Sequence, residues 1–114
     1  IKDENLTEKV LDLESEKILA HIKPDSFIIT LEINGKQFDS VEFSKKLDSI
    51  INTGVSEIVF IIGSSCGLSK KISDISNLKL SLSKMTFIHQ ITRLILLEQI
   101  YRAFKIKNHE TYHK

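Results

Sequence analysis

The chain has 114 residues, 41% of them hydrophobic and 27% charged, with a formal net charge of +1. That length can bury one core and is too short for two ordinary domains, so residues 1–114 are expected to form a single α/β unit. The longest apolar runs, Ile58 to Ile62 and Leu94 to Leu97, fall far below the roughly 20 residues that span a bilayer. The opening Ile1-Lys2-Asp3-Glu4 is acidic and polar where a secretory signal is basic and then hydrophobic, and the single Cys66 offers no disulfide framework. The expected setting is a reducing cytoplasm, with no membrane segment and no metal site.

The small net charge hides an asymmetry. Residues 1–68 carry seven lysines against twelve acids, whereas residues 69–114 carry nine lysines or arginines against three acids. A basic half attracts polyanions through counterion release, although a solvated helix face with a basic tail has the same composition.

In chain order, Leu6, Val10, Leu13 and Ile18, joined by Leu11, Leu19 and Ile22, predict an amphipathic helix that Pro24-Asp25 stops. Phe27-Ile28-Ile29-Thr30-Leu31 is a short, continuous apolar run of the kind found in parallel strands covered on both faces. Asn34-Gly35 is expected to turn the chain. A second helix begins at Asp39 or Ser40, with Glu42 completing a capping box and Phe43, Leu47, Ile50 and Ile51 on one face; Asn52-Thr53-Gly54 ends it.

Ile58 to Ile62 reads as a second buried strand and runs directly into Gly63-Ser64-Ser65-Cys66-Gly67. Open α/β sheets place ligands at such strand ends. A short helix from Ser69 to about Ile75 leads to a third strand around Leu78 to Ser83, and a long helix runs from Phe87 to about Ile106. On that helix Ile91, Leu94, Ile95, Leu96, Leu97, Ile100, Tyr101 and Phe104 occupy more than one face, which calls for a partner surface beyond the sheet. Glu98 and Arg102 are spaced to pair. Alternating helices and strands imply an α/β layer with a mainly parallel sheet.

Four segments carry a resemblance. Thr30-Leu31-Glu32 with Gly35-Lys36, then Ile61 to Ser69 (IIGSSCGLS), Ser81 to Gln90 (SLSKMTFIHQ), and Leu96 to Ile106 (LLEQIYRAFKI) with the closing Tyr112-His113-Lys114, resemble the RlmH family of SPOUT methyltransferases. The match covers essentially the whole chain. Ser64 stands where the family commonly has a second glycine and Ile88 where proline is usual, and the family's first strand and helix are expected to lie outside these residues.

The resemblance implies a SPOUT-type α/β trefoil knot, a homodimer, and transfer of a methyl group from S-adenosylmethionine to N3 of a pseudouridine in 23S rRNA, within the ribosome or its large subunit. Carried over by position, the cofactor contacts are Leu31, Gly63, Leu82, Ser83, Lys84, Met85, Thr86 and Phe87. Read without the family, Gly63 fits a plain turn equally well, and Leu82, Met85 and Phe87 fit an ordinary core. The reacting side is assigned to His113, Tyr112 and His89, with Arg93 and Lys114 toward RNA; His89 also fits a helix-start residue bonded to backbone.

His113 is preferred as proton acceptor because imidazole titrates near neutrality. A thiolate at Cys66 suits methylation at carbon and is not needed for transfer to nitrogen. Two alternatives remain at this level: a SPOUT enzyme acting on tRNA, and a non-catalytic α/β RNA-binding module.

Overall fold

The computed structural model describes residues 13, 15–63 and 68–108. Residues 15–20 are helical (α1), followed by β1 (Phe27–Gln37), α2 (Ser40–Asn52), β2 (Ile58–Ile62), α3 (Lys70–Asp74), β3 (Leu78–Ser81) and α4 (His89–Lys107). The helix expected from Leu6 lies largely outside the described residues, as do Cys66 and the Tyr112-His113-Lys114 tail.

The strands form one parallel sheet in the order β2-β1-β3. Because side chains alternate across a strand, each apolar run feeds two cores. On one face Ile29 and Leu80, with Ile58, Phe60 and Ile62, pack against Phe43, Leu47 and Ile50 of α2 and Leu96 and Ala103 of α4. On the other, Ile28 and Ile61, with Val59, meet Ile72 of α3 and Ile18 and Leu19 of α1. The continuous hydrophobic runs are thus explained by cover on both sides of the sheet.

Local chemistry sets the helix ends. Asp39 accepts from the Glu42 backbone N–H at 2.7 Å, and Glu42 Oε1 accepts from the Asp39 N–H at 2.9 Å, the reciprocal box expected from the sequence. Gly54, just beyond Thr53, has φ +84°, the left-handed conformation that glycine adopts at least cost. Ser69 caps α3 through the Ile72 N–H and also hydrogen-bonds Ser15, tying α1 to α3. Asn77 extends the start of β3 by pairing with both the N–H and the C=O of Ile28, each at 2.8 Å.

Two expected boundaries shift. Asn34-Gly35 does not end β1, which continues to Gln37; instead Leu31 and Lys36 both register with Leu80, so residues 32–35 form an irregular excursion within the strand. Gly35 passes so close to β3 that a β-carbon would lie 2.7 Å from the Lys79 carbonyl. The third strand stops at Ser81 because the next residues fold into a turn, in which Ser81 Oγ donates to the Ser83 carbonyl and Ser83 Oγ accepts from the Met85 N–H, both at 3.0 Å.

Candidate functional site

The connection after β1 leads to α2 on one face of the sheet, and that after β2 leads to α3 on the other. Divergent loops at neighbouring carboxyl ends open a crevice there. It contains a cavity of about 560 Å³, within the range of small-molecule sites. The end of β1 and its excursion supply Leu31, Glu32 and Ile33; β2 supplies Ile62 and Gly63; the turn after β3 and the start of α4 close the remaining side.

Of the residues singled out from the sequence as cofactor contacts, Leu31, Gly63, Leu82, Ser83, Met85, Thr86 and Phe87 line this cavity together. Lys84 does not; it sits at the apex of the Ser83–Met85 turn and is exposed. His89 lines the cavity from the first turn of α4, whereas Arg93, one turn further on, is exposed and outside the lining. Tyr112, His113 and Lys114, and Ser64 to Gly67 of the glycine loop, lie outside the described residues.

The walls are mainly apolar. Leu31, Ile62, Leu80, Leu82 and Phe87 surround a narrow set of polar groups, among them Glu32, Ser83, Thr86, His89 and Thr92. Glu32 is held firmly: its Oε2 accepts from Thr30 Oγ1 at 2.6 Å, and Ser73 Oγ of α3 donates to its two oxygens at 2.9 and 3.1 Å. Ile88 is the N-cap of α4 and makes no side-chain cap hydrogen bond, and Ile88, His89 and Thr92 bring the start of that helix to the cavity. Among the described residues, no group of three or more His, Cys, Asp or Glu could hold a metal ion, and no helix is long and apolar enough to cross a membrane.

Residues 1–113 match the family model described as "Predicted SPOUT methyltransferase". The chain belongs to the SPOUT methyltransferase family. A Clostridium botulinum protein named ribosomal RNA large subunit methyltransferase H is 49% identical over 114 residues, covering all of this chain and 70% of that protein. Proteins of Methanococcus maripaludis and Methanococcus vannielii, given the same name provisionally, are 59% and 55% identical over 106 residues, or 93% of this chain and 67% of each. The RlmH-type resemblance of the motifs is thereby shown, as is the α/β class with a parallel sheet, and the chain is a methyltransferase by family.

Sequence reasoning did not single out Glu32, Ile33, Ile62, Leu68 and Thr92 as cavity residues. For Glu32 a signal was present: it is the carboxylate that directly follows the apolar run Phe27 to Leu31, and in open α/β sheets ligands bind beyond the carboxyl ends of such runs.

Proposed function

We propose that this chain uses S-adenosylmethionine to methylate N3 of a pseudouridine in 23S rRNA, in the ribosome or its large subunit. The observation that carries this reading is the meeting, in one cavity, of Leu31, Gly63 and the residues around the turn after β3, which are far apart in sequence. Its volume and apolar walls fit a nucleoside-sized ligand, and Gly63 allows close approach of the backbone. Leu31, Leu82, Met85 and Phe87 form walls for the adenine, while Ser83 and Thr86 offer polar atoms; Lys84 acts from outside the lining. The names of the bacterial and archaeal relatives support the RNA substrate.

Bound S-adenosylmethionine supplies an already activated methyl group on its sulfonium. The protein's task is therefore alignment of the acceptor with that methyl group and removal of the N3 proton. His113 accepts that proton, with Tyr112 and His89 beside the acceptor, and Arg93 and Lys114 contact rRNA phosphates. The active unit is a cytoplasmic homodimer of single SPOUT domains with the family's trefoil knot. The exposed apolar side chains of α4, including Leu94, Leu97 and Tyr101, support self-association.

The test has two stages. Isothermal titration should give saturable binding of S-adenosylmethionine; absence of binding rules out the enzyme and favours an RNA-binding module. Labelled cofactor is then offered with undermodified ribosomes, large subunits and tRNA, and the product nucleoside is identified by mass. Label in N3-methylpseudouridine of 23S rRNA is the expected result, and label confined to tRNA overturns the substrate assignment.

A further inference from the structure

The lining of the cavity contains one carboxylate, Glu32, and no lysine or arginine among the described residues. Glu32 is half-buried, and the described residues place no ion pair on it. An ionised carboxylate offers about four acceptor sites. The Thr30 and Ser73 hydroxyls occupy part of that capacity and fix the group between β1 and α3. Ser76 Oγ, 2.8 Å from Thr30 Oγ1, anchors the Thr30 hydroxyl in turn. An oriented negative charge, partly withdrawn from water and with no counter-ion among the described residues, is suited to a cation.

We propose that Glu32 is the counter-charge of the cavity, pairing with a cationic group of the ligand and so selecting a charged methyl donor over neutral nucleosides. The inference rests on the reading that S-adenosylmethionine binds here. That molecule carries a sulfonium and an ammonium, whereas 5′-methylthioadenosine keeps its adenine, ribose and sulfur but has neither charge. Thr30 and Ser73 are positioning residues: they act on the ligand through Glu32.

Titration calorimetry of wild type, Glu32→Gln and Ser73→Ala with both ligands tests this. Glutamine keeps the shape and one acceptor oxygen, so the β1–α3 contact survives while the charge is lost. Glu32→Gln is expected to weaken S-adenosylmethionine roughly ten- to a hundredfold, as befits a hydrogen bond to a charged group. Binding of 5′-methylthioadenosine should stay within about twofold. Ser73→Ala should produce a smaller loss of the same selectivity, with circular dichroism verifying the fold of both variants. Equal losses for the two ligands overturn the proposal, since they signify ribose recognition or a purely structural role; so does an unchanged affinity for S-adenosylmethionine. If wild type binds 5′-methylthioadenosine no less tightly than S-adenosylmethionine, charge selection fails while the nucleoside site stands. If it binds neither, the donor assignment itself fails.

Discussion

A β-carbon at Gly35 would sit 2.7 Å from the carbonyl carbon and oxygen of Lys79 and 2.9 Å from the carbonyl carbon of Leu80. These are backbone atoms of β3, so relief requires the strands to part beside the cavity. At Gly54 the same added carbon meets nothing within 4 Å, and only the φ of +84° opposes it. Gly54→Ala should therefore cost about 1 kcal/mol, the conformational term alone. Gly35→Ala should cost more, roughly 2–3 kcal/mol, as for overpacked interiors. Urea unfolding of both variants checks the order; only Gly35→Ala should also weaken ligand binding, because Glu32 and Ile33 of the same excursion, with Leu31 before it, line the cavity. His113 gives a different kind of prediction. If it accepts the N3 proton, His113→Ala abolishes methyl transfer and leaves S-adenosylmethionine binding intact; unchanged turnover in the labelled-cofactor assay removes it from the mechanism.

Among the elements, α2 shows which polar contacts matter for stability. Its capping box satisfies two backbone N–H groups, and Asp39→Ala should cost about 1 kcal/mol in thermal or urea unfolding. The Lys107–Asp48 ion pair between α4 and α2 is 3.0 Å long but about 40% exposed at both ends. Lys107→Met should change stability by no more than about 0.5 kcal/mol. Burial sets apart the α2–α4 contact at Ser44, whose Oγ donates to the Ala103 carbonyl at 2.9 Å with both residues buried. Much of this was legible in the sequence. The capping box has a fixed spacing, and continuous apolar runs signal strands covered on both faces. The extent of β1 was not legible, because Asn34-Gly35 has the composition of a turn while Gly35 serves the close approach to β3. Nor does a sequence period reveal that Ser73, on a separate helix, would orient Glu32. Most of the proposed cofactor residues were legible only through the family resemblance, since leucine, methionine and phenylalanine at those positions read equally well as core.

For the molecule as a whole, the outer side of α4 is the largest apolar element left exposed on any described helix. Leu96 and Ala103 are buried against the sheet and α2, whereas Leu94 is 65% exposed and Leu97, Tyr101 and Phe104 are 53%, 51% and 44% exposed. These four recur at intervals of three, four and three residues and so form a single stripe, set roughly a third of a turn round the helix from the core-facing Leu96 and Ala103. A contiguous apolar stripe is costly to leave in water, and in the proposed dimer a two-fold copy of the same helix would cover it with its own equivalent. Leu94→Glu combined with Tyr101→Glu puts charge on that stripe without touching the buried face. Wild type should sediment at twice the monomer mass and the double variant at the monomer mass; a monomeric wild type overturns the dimer. The cavity takes only His89 and Thr92 from α4, with Ile88 just before it, all at the opposite end of the helix from Phe104. Dissociation should therefore reduce S-adenosylmethionine affinity less than methyl transfer, provided the tail after α4 acts on RNA across the dimer. Equal losses in the two measurements would instead mean that each tail serves its own subunit or that pairing is needed to hold the cavity itself.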